Sequence, residues 1–335
     1  MKILFLHGLP FSLAHGGVQT QIEQTKAGLE QVGVEVEYLR WWDERQTGDI
    51  IQVFGRPGTY FVELAHQKKI RVVLSDLLTG QGSRAAWKRQ LQRWVFRGIE
   101  AVCPPVFSTN LSSRSYRAVD ACFALTPWEA RLMETLYGAD AGKIHVVPNG
   151  VEEAFLREPA RPRGKWLVCT ATITERKRVL ELSRAALLAK TPLWIIGKPY
   201  AESDSYFAEF RKMAMAHPDL IRYEGPVSDR GILAGIYREA RGFVLLSAME
   251  SLSLSALEAA ACESPLLLSD LPWARASFGP GASYCSLAGD AATARCLSRF
   301  YEAAPSLPLP AKPLTWVQVA REMKGIYEAL LSASW

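Results

Sequence analysis

Short runs of Val, Ile and Leu recur along this chain, separated by helix-length amphipathic stretches, and that alternation constrains the fold more than any other feature. Residues 2–6, 34–39, 50–53, 71–74, 121–125 and 144–147 read as strands, with a helix at 19–32 after the first. The rhythm returns more cleanly at 166–170, 193–197, 221–225, 242–247 and 265–269. Helical stretches at 179–189, 205–216, 230–239 and 254–261 lie between them. Strands that are apolar on both faces need cover on both faces, and parallel neighbours need long crossovers. The expectation is two doubly wound α/β units, which take ligands at the carboxyl-end loops of their strands.

A first unit is expected over 1–155 and a second over 156–312. A last segment, 313–335, is expected to carry a helix that returns to the first unit. Residues 153–165, with prolines among charges, read as the linker. A hydrophobic content of 49% excludes general disorder, and no apolar run approaches the ~18 residues that a membrane-spanning helix needs. The apolar opening breaks at His7, Gly8 and Pro10 and reads as a strand, not a secretory signal. A net charge of +5 with no recognised module gives no reason to expect nucleic acid. Six cysteines without a CxxC pair read as small apolar core residues of a reducing compartment. No residue spacing suggests a metal site.

Three loops carry the chemistry. In the first, Glu250 follows a buried strand, Ser251 and Ser253 are good N-cap types, and a helix follows. The bare N–H groups at that helix start suit an anion, and Glu258 stands a little over two turns further on. The two carboxylates could grip two parts of one extended ligand; as residues alone they read equally as a loop acid and a capping or surface acid. In the second, Glu175-Arg176-Lys177-Arg178 places three cations where a strand hands over to a helix. That suits a diphosphate, or simply a solvated turn. In the third, His15-Gly16-Gly17 lies between the first strand and the first helix, where paired glycines let backbone approach a ligand. No GxGxxG dinucleotide fingerprint is present.

Taken in order, the Gly16-Gly17-Val18 loop, Val147-Pro148-Asn149-Gly150-Val151-Glu152, Glu175-Arg176-Lys177-Arg178 and Glu250-x7-Glu258 resemble the retaining glycosyltransferase family 4. Trp316 with Ile326-Tyr327 is similar to that family's closing helix. The resemblance implies an α/β GT-B fold of two facing Rossmann-like domains with an interdomain cleft. It also implies a C-terminal helix crossing back to the first domain.

The activity implied is transfer of a sugar from a nucleotide-diphosphate sugar, UDP- or GDP-linked, to an acceptor hydroxyl with retention of configuration. The setting implied is bacterial-type glycan, lipid or glycoconjugate assembly. Glu258 would take the ribose hydroxyls and Glu250 the donor-sugar hydroxyls. Lys177 and Arg176 would neutralise the leaving diphosphate. Gly16 and Gly17 would approach the diphosphate, and the amides of Ser251, Leu252, Ser253 and Leu254 would meet sugar and phosphates. His15, Ser75 and Asp76 would face the acceptor side. Preorganised cations and N–H dipoles fit the charge that develops on a leaving diphosphate. No metal or other cofactor is expected beyond the nucleotide-sugar co-substrate.

The chain departs from the pattern in places. Ser251-Leu252-Ser253 stands where many members have Gly-Phe-Gly, and Glu263 where a glycine often follows the helix. Thr172 replaces an arginine, and Leu74-Ser75-Asp76 replaces a strand ending in His-Asp. These departures leave two other readings: a catalytically silent nucleotide-sugar-binding partner of another transferase, or a same-fold epimerase.

A separate stretch carries Arg84, Lys88, Arg89, Arg93 and Arg97 with an apolar stripe of Trp87, Leu91, Trp94 and Val95. It reads either as a core-docked helix with a basic face or as a helix for an anionic membrane surface. The acceptor classes implied are saccharide, lipid-linked or small-molecule. The location expected is cytoplasmic, peripheral on the inner face of the cell membrane if the helix binds lipid.

Overall fold

The computed structural model describes residues 1–8, 10–12, 16–84, 86–102, 112–158 and 161–334. The chain forms two compact units, Met1–Asn149 with Trp316–Trp335, and Gly150–Thr315.

In the first unit six strands, β1 (Lys2–His7), β2 (Glu35–Tyr38), β3 (Ile50–Phe54), β4 (Arg71–Ser75), β5 (Ala121–Ala124) and β6 (Ile144–Val146), form one sheet ordered β2-β1-β3-β4-β5-β6. Every pairing is parallel. The helices are α1 (Gly17–Gln31), α2 (Thr59–Gln67), α3 (Thr79–Gly82), α4 (Ala86–Val102), α5 (Ser112–Ala118) and α6 (Pro127–Tyr137). The sequence marks α6 plainly. Thr126 caps its start through the Glu129 amide, Pro127 opens it and Gly138, left-handed at φ 69°, ends it.

The second unit has β7 (Leu167–Thr170), β8 (Leu193–Ile196), β9 (Ile221–Tyr223), β10 (Gly242–Leu245), β11 (Leu266–Ser269) and β12 (Ser283–Cys285), in the order β12-β11-β10-β7-β8-β9 and again all parallel. Its helices are α7 (Val179–Leu188), α8 (Ser205–Ala216), α9 (Arg230–Glu239), α10 (Leu254–Ala261), α11 (Pro272–Phe278) and α12 (Asp290–Ala303). The final helix, α13 (Trp316–Ser332), packs on α1 in the first unit. There the Gly28 Cα passes so near Trp316 that a Cβ would sit 2.9 Å from the Trp316 carbonyl oxygen. Tyr327 is fully buried and donates to Gln52 on β3, and Lys324 Nζ donates to the Val32 carbonyl at 2.9 Å.

The segment read from sequence as a linker is packed onto the second unit instead. Phe155 is buried with its ring 6.1 Å from Tyr237, and the buried Arg238 guanidinium donates to the Ala154 carbonyl at 2.7 Å. Residues 150–155 therefore belong with the second unit, and so do 313–315. Val151 N–H donates to the Leu314 carbonyl at 2.9 Å, so the chain enters and leaves this unit side by side.

Candidate functional site

The strand order of the second unit fixes where its ligand crevice lies. The chain runs from β7 outward to β8 and β9, then returns to place β10 on the other side of β7. The loops after β7 and β10 therefore leave a crevice at the carboxyl edge, the switch point of such a sheet. The loop after β7 carries Arg176 and Lys177, and the loop after β10 carries Glu250. Topology thus joins segments that are 73 residues apart in sequence.

Lys177 Nζ donates to Glu250 Oε1, and Arg176 Nη1 stands 3.3 Å from the same oxygen. Arg176 also donates to the Met249 carbonyl at 2.8 Å, while the Ala248 amide donates to the Arg176 carbonyl at 2.8 Å. Burial pushes the Glu250 carboxyl up, but the Lys177 and then the Arg176 charges outweigh it and hold the group below the usual carboxylate range. Two cations and one carboxylate thus leave the crevice electropositive. The Thr174 hydroxyl oxygen, at the start of the 3-10 turn Glu175–Lys177, is buried and meets no hydrogen-bond partner among the described residues. Arg178 sits in the left-handed region at φ 55°, a conformation that costs a non-glycine residue about 1 kcal/mol or more. On the neighbouring strand end, Gly197 adopts φ 148°, and a Cβ there would lie 1.9 Å from the Ala171 carbonyl oxygen.

The helix after Glu250 starts as expected. Ser253 is the N-cap of α10, accepting from the Ala256 amide at 3.4 Å; Ser251, Leu252 and Ser253 are buried, and Leu254, half-buried, opens the first turn. Glu258 lies further along the same helix, and among the described residues no hydrogen bond joins it to Glu250. Its Oε1 accepts from Arg230, and its Oε2 from the Tyr237 hydroxyl at 3.4 Å. Arg230 in turn donates from Nε to Glu152 at 2.8 Å. Burial dominates the Glu258 carboxyl and pushes it up to about 7, with Arg230 pulling the other way. Sequence reading missed Arg230. Its signal was faint, one arginine at a helix start behind an Asp229 cap, and only the fold sets it between two acids.

In the first unit, Gly16 is the N-cap of α1 at φ 136°, and Gly17 opens a helix with no acid in its first turn. His15 lies outside the described residues. Ser75 ends β4 at the same carboxyl edge and Asp76 follows it, and both are engaged. The Ser75 hydroxyl accepts from Gln52 Nε2 at 2.8 Å, completing the relay from Tyr327. The Asp76 Oδ2 accepts from Tyr116 at 2.5 Å and from Arg56. Glu129, also missed by sequence, is buried and ties two strand ends together. It accepts from the Leu78 amide at 3.1 Å and the Leu125 amide at 3.0 Å. A cavity lined by Gln52, Ser75, Asp76, Asn149 and α13 holds about 20 Å³, too small for a sugar ring.

The apolar stripe of α4 faces solvent rather than core. Trp87 is 64% exposed and Trp94 67%, with Leu91 and Val95 also exposed, while Phe96 supplies the contact with the core. The Arg97 side chain lies outside the described residues. A second exposed aromatic group comprises Trp41 (70%) and Trp42 (80%) on the loop after β2 and Tyr60 in the first turn of α2. The loop after β2 is pinned: Arg40 donates to Glu37 at 2.8 Å and Asp43 at 2.9 Å, and Gln46 donates to Glu37 at 2.9 Å. Among the described residues no helix is long and apolar enough to cross a membrane, and no group of three or more His, Cys, Asp or Glu is placed to hold a metal ion.

Residues 25–150 match the family model of the glycosyl transferase 4-like domain, and residues 164–301 match that of glycosyl transferases group 1. A D-inositol 3-phosphate glycosyltransferase of Jonesia denitrificans is 30% identical over 177 residues, 45% of this chain and 41% of that protein. One from Catenulispora acidiphila is 31% identical over 195 residues, 51% and 45%. The chain thus spans less than half the length of these relatives. Among solved structures, a glycosyltransferase from Rickettsia africae matches with a TM-score of 0.65 at 12% identity, covering 99% of each chain. The sucrose-phosphate synthase from Thermosynechococcus elongatus matches with 0.65 at 16%, covering 100% of each. Anabaena HepE, solved with UDP and glucose, matches with 0.63 at 13%, covering 98% of this chain and 100% of its own. These likenesses show a GT-B fold.

Proposed function

The chain belongs to the group 1 glycosyltransferases of family 4, and from that premise we propose that it transfers a sugar, with retention of configuration, from a nucleotide-diphosphate sugar to an acceptor hydroxyl. The observation that carries the reading is the meeting of Lys177, Arg176 and Glu250 at the switch point of the second unit, directly before the N-terminus of α10. An incoming diphosphate competes with Glu250 for Lys177. When it wins, one cation sits on the leaving group and the Glu250 carboxylate is released to accept from donor-sugar hydroxyls. Arg176, held by the Met249 carbonyl, supplies a second, oriented donor. As the sugar–phosphate bond breaks, negative charge grows on the diphosphate, where cations and the amides of Ser251 to Leu254 meet it without reorganisation.

Glu258, with Arg230 on one carboxylate oxygen and Tyr237 on the other, keeps a second lone pair on each oxygen for a vicinal diol and is assigned to the ribose. On the first unit, Gly16 and Gly17 are assigned to the diphosphate through the backbone amides that open α1. Ser75 and Asp76 act by shaping the acceptor side, since both are engaged within the unit.

The acceptor assigned is lipid-linked, and the working place the inner face of the cell membrane. What supports this is the outward Trp87–Leu91–Trp94 stripe among Arg84, Lys88, Arg89 and Arg93 on α4. The test is incubation with a panel of UDP-, GDP- and ADP-sugars with lipid and saccharide acceptors, reading released nucleotide and the product's anomeric proton coupling by NMR. Product with the donor's anomeric configuration supports the proposal. Donor binding with no turnover for any pair replaces it with the silent-partner reading, and an isomerised nucleotide sugar replaces it with the epimerase.

A further inference from the structure

Arg230 is the first residue of α9, and its guanidinium reaches two acids from other segments. Its Nε donates to Glu152 Oε1 at 2.8 Å, and its Nη2 donates to Glu258 Oε1. The guanidinium carbon stands 4.8 Å from the centroid of the buried Phe155 ring, which lies 6.1 Å from the Tyr237 ring. Tyr237 donates to the other Glu258 oxygen at 3.4 Å. A planar cation held by an acid on one side and a ring beneath it thus presents a fixed donor to Glu258. Its place in the helix gives it no local reason to be there. The start of a helix disfavours a cation, and the neighbouring Asp229 is spent on the Ile232 amide at 2.8 Å.

Glu152 itself stands on a fixed support. It belongs to residues 150–155, with which the second unit begins, and that segment is tied to both helices. Arg238 on α9 donates to the Ala154 carbonyl at 2.7 Å, and the Cys262 thiol at the end of α10 donates to the Phe155 carbonyl at 3.4 Å. Resting on the assignment of Glu258 to the ribose, we propose that Arg230 and Glu152 are positioning residues that make donor recognition depend on the ribose 2′-hydroxyl. Arg230 holds Glu258 Oε1 so that the remaining lone pairs of the carboxylate meet both hydroxyls of the diol. Glu152 holds Arg230 and acts only through it. Burial opposes the charge on Glu258, and Arg230 is the cation that works against that burial.

The test compares the dissociation constants of UDP with 2′-deoxy-UDP, and of GDP with 2′-deoxy-GDP, by titration calorimetry on the full-length protein. The wild type should prefer the ribonucleotide of at least one pair by about tenfold or more. Arg230→Gln should cut that preference to about threefold or less, and Glu152→Gln should cut it by a smaller factor. The double variant should match Arg230→Gln, since Glu152 has no other route to Glu258. A purely structural loss would weaken both members of a pair alike and leave their ratio unmoved. Glu152→Gln keeps its shape at a partly exposed position, so it decides the matter even if Arg230→Gln does not fold. A wild type that binds none of these nucleotides, or binds both members of a pair equally, overturns the ribose assignment itself. A wild-type preference that survives unchanged in the folded variants overturns the positioning role alone, and effects that add in the double variant overturn the path from Glu152 through Arg230.

Discussion

At the scale of single residues, Lys177 and Glu258 have separate tasks. Lys177 acts on the charge that develops as the donor bond breaks, so Lys177→Ala should lower kcat about 10²–10³-fold while donor affinity falls much less. Steady-state kinetics that showed the loss mainly in KM would move Lys177 to simple ground-state binding. Glu258 acts on binding, and its carboxyl is pushed up to about 7 by burial. Above that pH it is ionised and can accept from both hydroxyls of a diol. Below it, a proton occupies one of those positions. Donor affinity should therefore fall nearly tenfold from pH 8 to pH 6, following the ionised fraction. Glu258→Gln should flatten that dependence, as read by titration calorimetry with a nucleotide sugar.

Lys177, Glu250 and Glu258 were legible in the sequence because each sits at a fixed offset from a strand end or a helix cap. Arg230 and Glu129 were not. Their partners come from other crossovers, and nothing local marks a residue whose role is to bridge them.

At the scale of elements, buried parallel strands and capped helices wrote themselves into the chain as apolar runs and cap residues. β12 did not, because Ser283–Cys285 is three residues long and lacks an apolar run. The Glu153–Phe155 region misled for the opposite reason: proline and charge suggest a linker, yet one buried phenylalanine and a buried arginine hold it down.

Helix ends give a sharper test. α10 closes in a Schellman turn, with the Ser264 amide on the Ala259 carbonyl and the Glu263 amide on Ala260, both at 2.9 Å. The left-handed position, φ 57°, holds Glu263 where glycine is favoured. Glu263→Gly should raise stability by about 1 kcal/mol in chemical denaturation, because the lost pair with the half-exposed Lys312 contributes little. Gly197 is the converse. Gly197→Ala forces a Cβ into the Ala171 carbonyl and should cost about 3 kcal/mol, and a variant as stable as wild type would mean the strand end can shift.

At the scale of the whole molecule, the +5 net charge says little until it is divided into places. One is the Arg176–Lys177 corner beside Glu250. Another is α4, whose basic residues surround an apolar stripe turned to solvent. If α4 docks on anionic lipid, the protein should float with phosphatidylglycerol liposomes at low salt and be released by high salt. Trp87→Ser/Trp94→Ser should lose flotation without losing stability, since both rings are exposed. Binding unaffected by either change would assign the lipid contact elsewhere.

The central claim is that the switch point of the second unit is a nucleotide-sugar site built on Glu258 and Lys177. It is tested most directly by calorimetric titration of UDP- and GDP-sugars into the wild type and Glu258→Ala. The account predicts saturable one-to-one binding of at least one donor to the wild type and a Kd at least about tenfold higher in the variant. Equal affinity in the two proteins, with both folded, would contradict it.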